Sequence, residues 1–133
     1  MTAAIRELVT EYNQAFGDGR LGRVEELLHP DVVFGSATAA EIRGAAAYVA
    51  ALRKLAPVII RNDIREVVVD GDQAFILYDF VTDTAAGAVL SGELVRIEDG
   101  RIRAITLIFD WRRWPEVLQE AARRAAAPAA AVR

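Results

Sequence analysis

The chain has 133 residues, of which 53% are hydrophobic and 26% charged, with a formal net charge of -3. That length suits one domain able to bury roughly two thirds of its unfolded surface without staples. The lack of Cys removes disulfides, thiolate nucleophiles and Cys-ligated zinc, and a single His removes a three-histidine metal site. A pI near 5.2 offers no clustered cationic footprint for nucleic acid. The N-terminus reaches Arg6 and Glu7 with no apolar leader, and no stretch approaches the ~20 apolar residues of a membrane span. These features predict a soluble, cytoplasmic single domain over residues 1–124, with an Ala-rich, frayed tail at 125–133.

Ile5, Leu8, Val9, Tyr12 and Phe16 recur at helical spacing and predict an amphipathic helix from Thr2 to Phe16. After Gly17-Asp18-Gly19, Leu21, Val24, Leu27 and Leu28 stripe a second, shorter helix. His29-Pro30-Asp31 breaks it, and extended chain begins at Val32-Val33-Phe34. A third helix follows Gly44 and stops before Pro57. Four β-rich runs come next, at about 58–70, 73–84, 88–98 and 101–111. Asp70-Gly71 and Asp99-Gly100 are hairpin signals, so the runs read as an antiparallel meander. Trp114-Pro115 opens a last helix. Helices first and a meander after give an α+β fold.

The strands are apolar on both faces. Phe75, Leu77, Asp79 and Val81 alternate with Ala74, Ile76, Tyr78 and Phe80; Ile105, Leu107, Phe109 and Trp111 alternate with Ile102, Ala104, Thr106 and Ile108. Helices can cover one face, and the other then needs a partner. A homodimer through the outer sheet face is the favoured explanation. The competing one is a C-terminal helix folded back over that face.

Tyr12 to Gly19, then Leu27-Leu28-His29-Pro30-Asp31-Val32-Val33-Phe34, Ile42-Arg43-Gly44, Gly92 to Ile102 and Ile108-Phe109-Asp110 together resemble the nuclear-transport-factor-like (NTF2-like) superfamily. That superfamily includes ketosteroid isomerases, SnoaL-like polyketide cyclases and limonene epoxide hydrolases. The resemblance spans residues 3 to about 120. It implies a cone-shaped, curved antiparallel sheet wrapped around N-terminal helices, a deep ligand pocket, and frequent dimers. Against the isomerases, Tyr12 matches the oxyanion-hole tyrosine and Glu93 the protonated acid beside it, while Ser36 stands where their proton-shuttling aspartate belongs. Serine cannot replace a carboxylate base. Against the epoxide hydrolases, Asp79 replaces the catalytic arginine, and Val81 and Leu107 replace the flanking aspartates.

Asp79 interrupts an apolar strand face, where an unpaired charge is costly. If it shares a cavity with Glu93, one acid rises in pKa and stays neutral beside a charged base, the arrangement acid–base catalysis requires. A surface ion pair to Arg96 or Arg103 is the structural alternative. Tyr12 could equally be a core aromatic with a satisfied hydroxyl. Phe75, Val95, Leu107, Phe109 and Trp111 are expected to form the substrate-binding walls. His29 and the Arg112-Arg113 pair read as surface residues, and Asp110 as structural. No phosphate loop, zinc motif or dinucleotide fingerprint is present, so no metal or cofactor is expected.

The leading expectation is a cofactor-independent acid–base enzyme (isomerase, cyclase or dehydratase) acting on a small apolar oxygenated molecule. In it Asp79 moves the proton while Tyr12 and Glu93 hold the oxygen. The alternatives are a non-catalytic ligand-binding or structural dimeric domain, and an epoxide hydrolase with an atypical catalytic set.

Overall fold

A computed structural model describes residues 2–36 and 40–126. Among these residues four helices and six strands follow one another: α1 (Thr2–Gly17), α2 (Leu21–Leu27), β1 (Leu28–Ser36), β2 (Ile42–Arg43), α3 (Ala45–Arg53), β3 (Ile59–Asp70), β4 (Gln73–Thr82), β5 (Ala88–Glu98), β6 (Arg101–Phe109) and α4 (Trp114–Ala126). The α+β expectation holds. Helix α4 continues through Ala126, and the rest of the tail expected to fray lies outside the described residues.

The strands form one sheet in the order β2-β1-β6-β5-β4-β3. From β3 to β6 it is the antiparallel meander that the Asp-Gly steps predict. At the tightest turn, Asp99 (φ 54°) and Gly100 (φ 73°) are both left-handed, as a two-residue primed turn requires. Two features are not announced by the sequence. Strand β1 pairs parallel to β6, and the two-residue β2 pairs antiparallel to β1. Register shifts in β1, in β3 and between β5 and β6 mark bulges, the devices that bend a sheet.

The helices fill the concave face. Phe16 of α1 stacks on Phe80 of β4 at 5.6 Å between centroids, and Tyr48 of α3 stacks on Phe34 of β1 at 4.8 Å. Helix α4 contributes Trp114, which meets Phe80 and Phe109 edge-on or tilted. Its Val117 and Ala121 pack with Val58 in a second small core. Since Phe80 and Phe109 belong to the concave face, α4 does not fold over the outer one. On that convex side Val68, Leu90, Leu94 and Ile108 are 44–59% exposed.

Candidate functional site

A cavity of about 290 Å³ opens between the concave sheet face, α1, α3 and α4. Its walls are Phe16, Phe34, Ile42, Leu52, Leu55, Phe80, Leu107, Phe109, Trp114 and Leu118, with Tyr48, Tyr78, Ser36, Ser91, Glu93 and Lys54 as the polar members. Such a concave, mostly apolar space with a few converging polar groups is the usual form of a small-molecule site.

Glu93 lies on β5 with its side chain inward, 1% exposed. Strand pairing supplies its neighbours: Ile76 of β4 on one side and Leu107 of β6 on the other. Tyr78, one inward step along β4, donates to Glu93 Oε2 at 2.5 Å. Tyr12 reaches down from α1 and donates to Oε1 at 2.8 Å. Tyr48 of α3 lies 2.6 Å from the Tyr12 hydroxyl. The chain has three tyrosines, and all three converge on this one carboxyl.

Proton counting fixes the direction of each bond. A tyrosine hydroxyl has one proton to give. With Glu93 ionised, Tyr12 gives its own to Glu93, so the bond between Tyr12 and Tyr48 is then donated by Tyr48. No Arg or Lys pairs with Glu93 among the described residues, and burial pushes its carboxyl above the ordinary glutamate range. The Tyr78 and Tyr12 hydrogen bonds oppose that rise without cancelling it. Burial holds all three tyrosines well above their ordinary value, with the Glu93 charge acting in the same direction, so they stay protonated at neutral pH.

The expected site residues divide accordingly. Tyr12 and Glu93 are brought together, although Tyr12 stands behind the cavity wall and reaches the cavity through Glu93 and Tyr48. Leu107 and Phe109 line the cavity. Asp79 does not. Ile76 pairs with Glu93 and Phe80 with Val89, so the even-numbered residues of β4 share the inner face and Asp79 lies on the convex side. There it takes Arg65 Nε at 2.8 Å and Nη2 at 3.1 Å, a surface ion pair with neither Arg96 nor Arg103. Phe75 is on the same outer face, its ring laid over Gly92 so closely that a Cβ there would stand 2.6 Å from Cζ. Val95 faces inward but is sealed in the core opposite Ile105, away from the cavity. Trp111 lies past the end of β6, 56% exposed, and Trp114 supplies the indole of the wall instead.

Tyr48, Tyr78, Lys54 and Ser91 do not stand out from the sequence as site residues. Tyr78 carries a legible signal, since it alternates with Ile76 and Phe80. Ser36 lines the cavity at the end of β1. Lys54, the only lysine of the chain, lies exposed at the cavity edge just past α3. Asp110 accepts from the backbone N–H and the guanidinium of Arg112, which hold its carboxyl down at about 2 and order the turn into α4.

His29, Glu98 and Asp99 are a surface group whose donor atoms could reach one ion. His29 Nδ1 already accepts from the Asp31 N–H, Arg96 and Arg103 flank Glu98 within 4 Å, and none of the three lines the cavity. Among the described residues no helix is long and apolar enough to cross a membrane.

Residues 9–105 match the family model of the SnoaL-like domain. No curated protein sequence matches the chain. Solved structures match its fold. An NTF2-like protein of unknown function from Cytophaga hutchinsonii ATCC 33406 is 19% identical, with a TM-score of 0.72 over 84% of this chain and 95% of that one. A putative ketosteroid isomerase from Kribbella flavida DSM 17836 is 19% identical, TM-score 0.73, over 82% and 79%. A LEH-like epoxide hydrolase from M. tuberculosis is 19% identical, TM-score 0.73, over 96% and 98%.

Proposed function

The chain belongs to the SnoaL-like domain family, and from that premise we propose that it is an acid–base enzyme acting on one small, largely apolar, oxygen-bearing molecule, with Glu93 giving and taking the proton. One observation carries the reading: a fully buried carboxyl, without a cationic partner among the described residues, faces an apolar cavity of about 290 Å³. A core built for stability alone would place a Leu or Met there, because burying an ionisable group costs free energy that packing does not return. A carboxyl raised by burial titrates nearer to neutrality, where proton transfer in both directions is efficient. Asp79 is left out of the chemistry by its convex position. Tyr12 becomes a positioning residue behind Glu93, and Tyr48 and Tyr78 are the hydroxyls that meet the ligand. The reactions this set serves are isomerisation, cyclisation and dehydration.

The second reading is a binding module without chemistry. It draws on Glu93 being the only carboxylate among the described residues that line the cavity, with Ser36 in place of a second base. A panel of small enones, lactones and epoxides, followed by NMR in D2O for deuteration and product, separates the two. Turnover of at least one member, falling by roughly 10²- to 10⁴-fold in Glu93→Gln, is expected of general acid–base catalysis. Saturable binding without turnover of any member would leave the binding module.

For the convex face we infer a second copy of the chain. Val68, Phe75, Leu77, Leu90, Leu94 and Ile108 form an apolar field there, bordered by Arg61, Arg65 and Arg96 on one side of the charge balance and Asp63, Glu66 and Asp79 on the other. Both signs on one rim suit a two-fold contact, in which each patch meets its own copy.

A further inference from the structure

We propose that Glu93, Tyr12 and Tyr48 form a proton relay, so that the protonation of Glu93 decides whether Tyr48 offers the cavity a hydrogen-bond donor or only an acceptor. The geometry is an unbroken line of oxygens. Glu93 Oε1 lies 2.8 Å from the Tyr12 hydroxyl, which lies 2.6 Å from that of Tyr48. Tyr48 lines the cavity, while Tyr12 is wholly buried behind it and does not. Tyr12 therefore communicates with a ligand only through its two neighbours.

With Glu93 ionised, both of its oxygens accept: Oε1 from Tyr12 and Oε2 from Tyr78. Tyr48 must then spend its only proton on Tyr12, and its oxygen presents lone pairs to the cavity. Adding one proton to Glu93 brings a fourth hydroxyl hydrogen into a cluster that had three. The relay places the new proton on Oε1, the oxygen that faces Tyr12 at the longer distance of 2.8 Å. Oε1–H now donates to Tyr12, Tyr12 turns its hydrogen to Tyr48, and Tyr48 turns its own into the cavity. Each tyrosine keeps one proton throughout. If a ligand oxygen takes the proton from Tyr48, Tyr48 takes one from Tyr12, Tyr12 one from Glu93, and a carboxylate remains.

The consequence for the ligand rests on the acid–base reading of the cavity; the relay does not. In the acid form the deep end of the site suits an acceptor oxygen, such as a carbonyl, lactone or epoxide. In the anionic form it suits an O–H donor, such as an enol or alcohol. An enzyme that interconverts the two would have its polarity reset by its own proton. The groups facing Glu93 are Tyr12 from α1, Tyr48 from α3, Tyr78 from β4 and Ser91 on its own strand. Leu107 brings no titratable group from β6, and Ser36 and Lys54 share the cavity.

Because only three tyrosines exist, the ligand-free protein reports the relay directly. In protein labelled with ¹³C at Tyr Cζ and Glu Cδ, the Tyr48 signal is expected to move with the same midpoint as the Glu93 carboxyl. In Tyr12→Phe, Glu93 is expected still to titrate while the Tyr48 excursion is lost. The relay would be overturned by a Glu93 that does not titrate in the folded protein, by a Tyr48 signal that ignores it, or by one that follows it undiminished in Tyr12→Phe. Movement of Tyr78 alone would overturn it too, by assigning the proton to Oε2. Should Tyr12→Phe fail to fold, Glu93→Gln decides the same question, since its amide donates as the neutral acid does and should hold Tyr48 at its acid-form shift at every pH. A Tyr48 signal that still titrates in Glu93→Gln would overturn the relay. Loss of the relay would leave the D2O turnover experiment unaffected, so the two readings fail separately.

Discussion

Glu93 sets the pH behaviour of the fold as well as of the site. Its carboxyl is raised above the ordinary value of 4.5 chiefly by burial. Between that value and the raised one, the native state holds a proton that the unfolded chain releases, so the contribution of Glu93 to stability is fully present below pH 4.5 and is lost as pH rises through the folded pKa. Glu93→Gln removes the titration and resembles the protonated acid in shape and hydrogen bonding. The variant is expected to match the wild type near pH 4.5 and to exceed it at pH 8 by on the order of 1–3 kcal/mol, the usual cost of incompletely compensated polar burial. Urea unfolding at the two pH values measures the difference, and equal or lower stability of the variant at pH 8 would remove the account. At this scale the sequence is half legible. Glu93 and Tyr12 are found through the family pattern they sit in. Asp79 is misplaced by sequence reasoning because strand faces depend on the register set by the loop between β4 and β5, and a one-residue change there exchanges the two faces.

The elements are legible wherever local chemistry decides them. Apolar spacing marks α1, Asp-Gly pairs mark two of the three turns of the meander, and Trp114-Pro115 marks the start of α4. Strand β2 escapes because two residues carry no periodic pattern, and β1 joins β6 across most of the chain length, a pairing that no local signal announces. What locks α1 to the sheet is also non-local. Gly17 at the end of α1 lies against β3 so closely that a Cβ would stand 2.5 Å from the backbone nitrogen of Asn62, while Asn62 Nδ2 donates to the carbonyl of Asn13 at 2.9 Å. Backbone cannot yield as a side-chain tip can. Gly17→Ala is therefore expected to push α1 off β3 and cost about 1–3 kcal/mol, the range for an overpacked site. Since α1 carries Tyr12 and Phe16, the loss should extend to the cavity. Thermal unfolding together with the Tyr Cζ spectrum tests both parts, and an unshifted melting point would mean that the contact is slack.

For the whole molecule, the apolar excess of the composition separates by face. The concave side spends it on the core and the cavity, and the convex side leaves Val68, Leu90, Leu94 and Ile108 in solvent. These four residues on β3, β5 and β6, with Phe75 and Leu77 of β4 between them, are a patch of the kind that marks association in a protein. The described elements leave that face open, because α4 is engaged at the cavity by Trp114 and tied to the turn after β4 by Arg124, which bonds Asp83 Oδ2 at 3.0 Å. A second copy placed about a two-fold axis would bury Ile108 together with Leu90 and Leu94 of the neighbouring β5 and let the mixed rim charges pair across the contact. The expected species at micromolar concentration is twice the 14.5 kDa chain. Ile108→Glu puts a charge into that field without touching the cavity, and should weaken association at least tenfold, about 1.4 kcal/mol. Sedimentation equilibrium of both proteins decides the matter. A wild type that sediments at 14.5 kDa would end the dimer, whereas a dissociated Ile108→Glu that keeps its Tyr Cζ spectrum would place the interface on the convex sheet and make the cavity the property of a single chain.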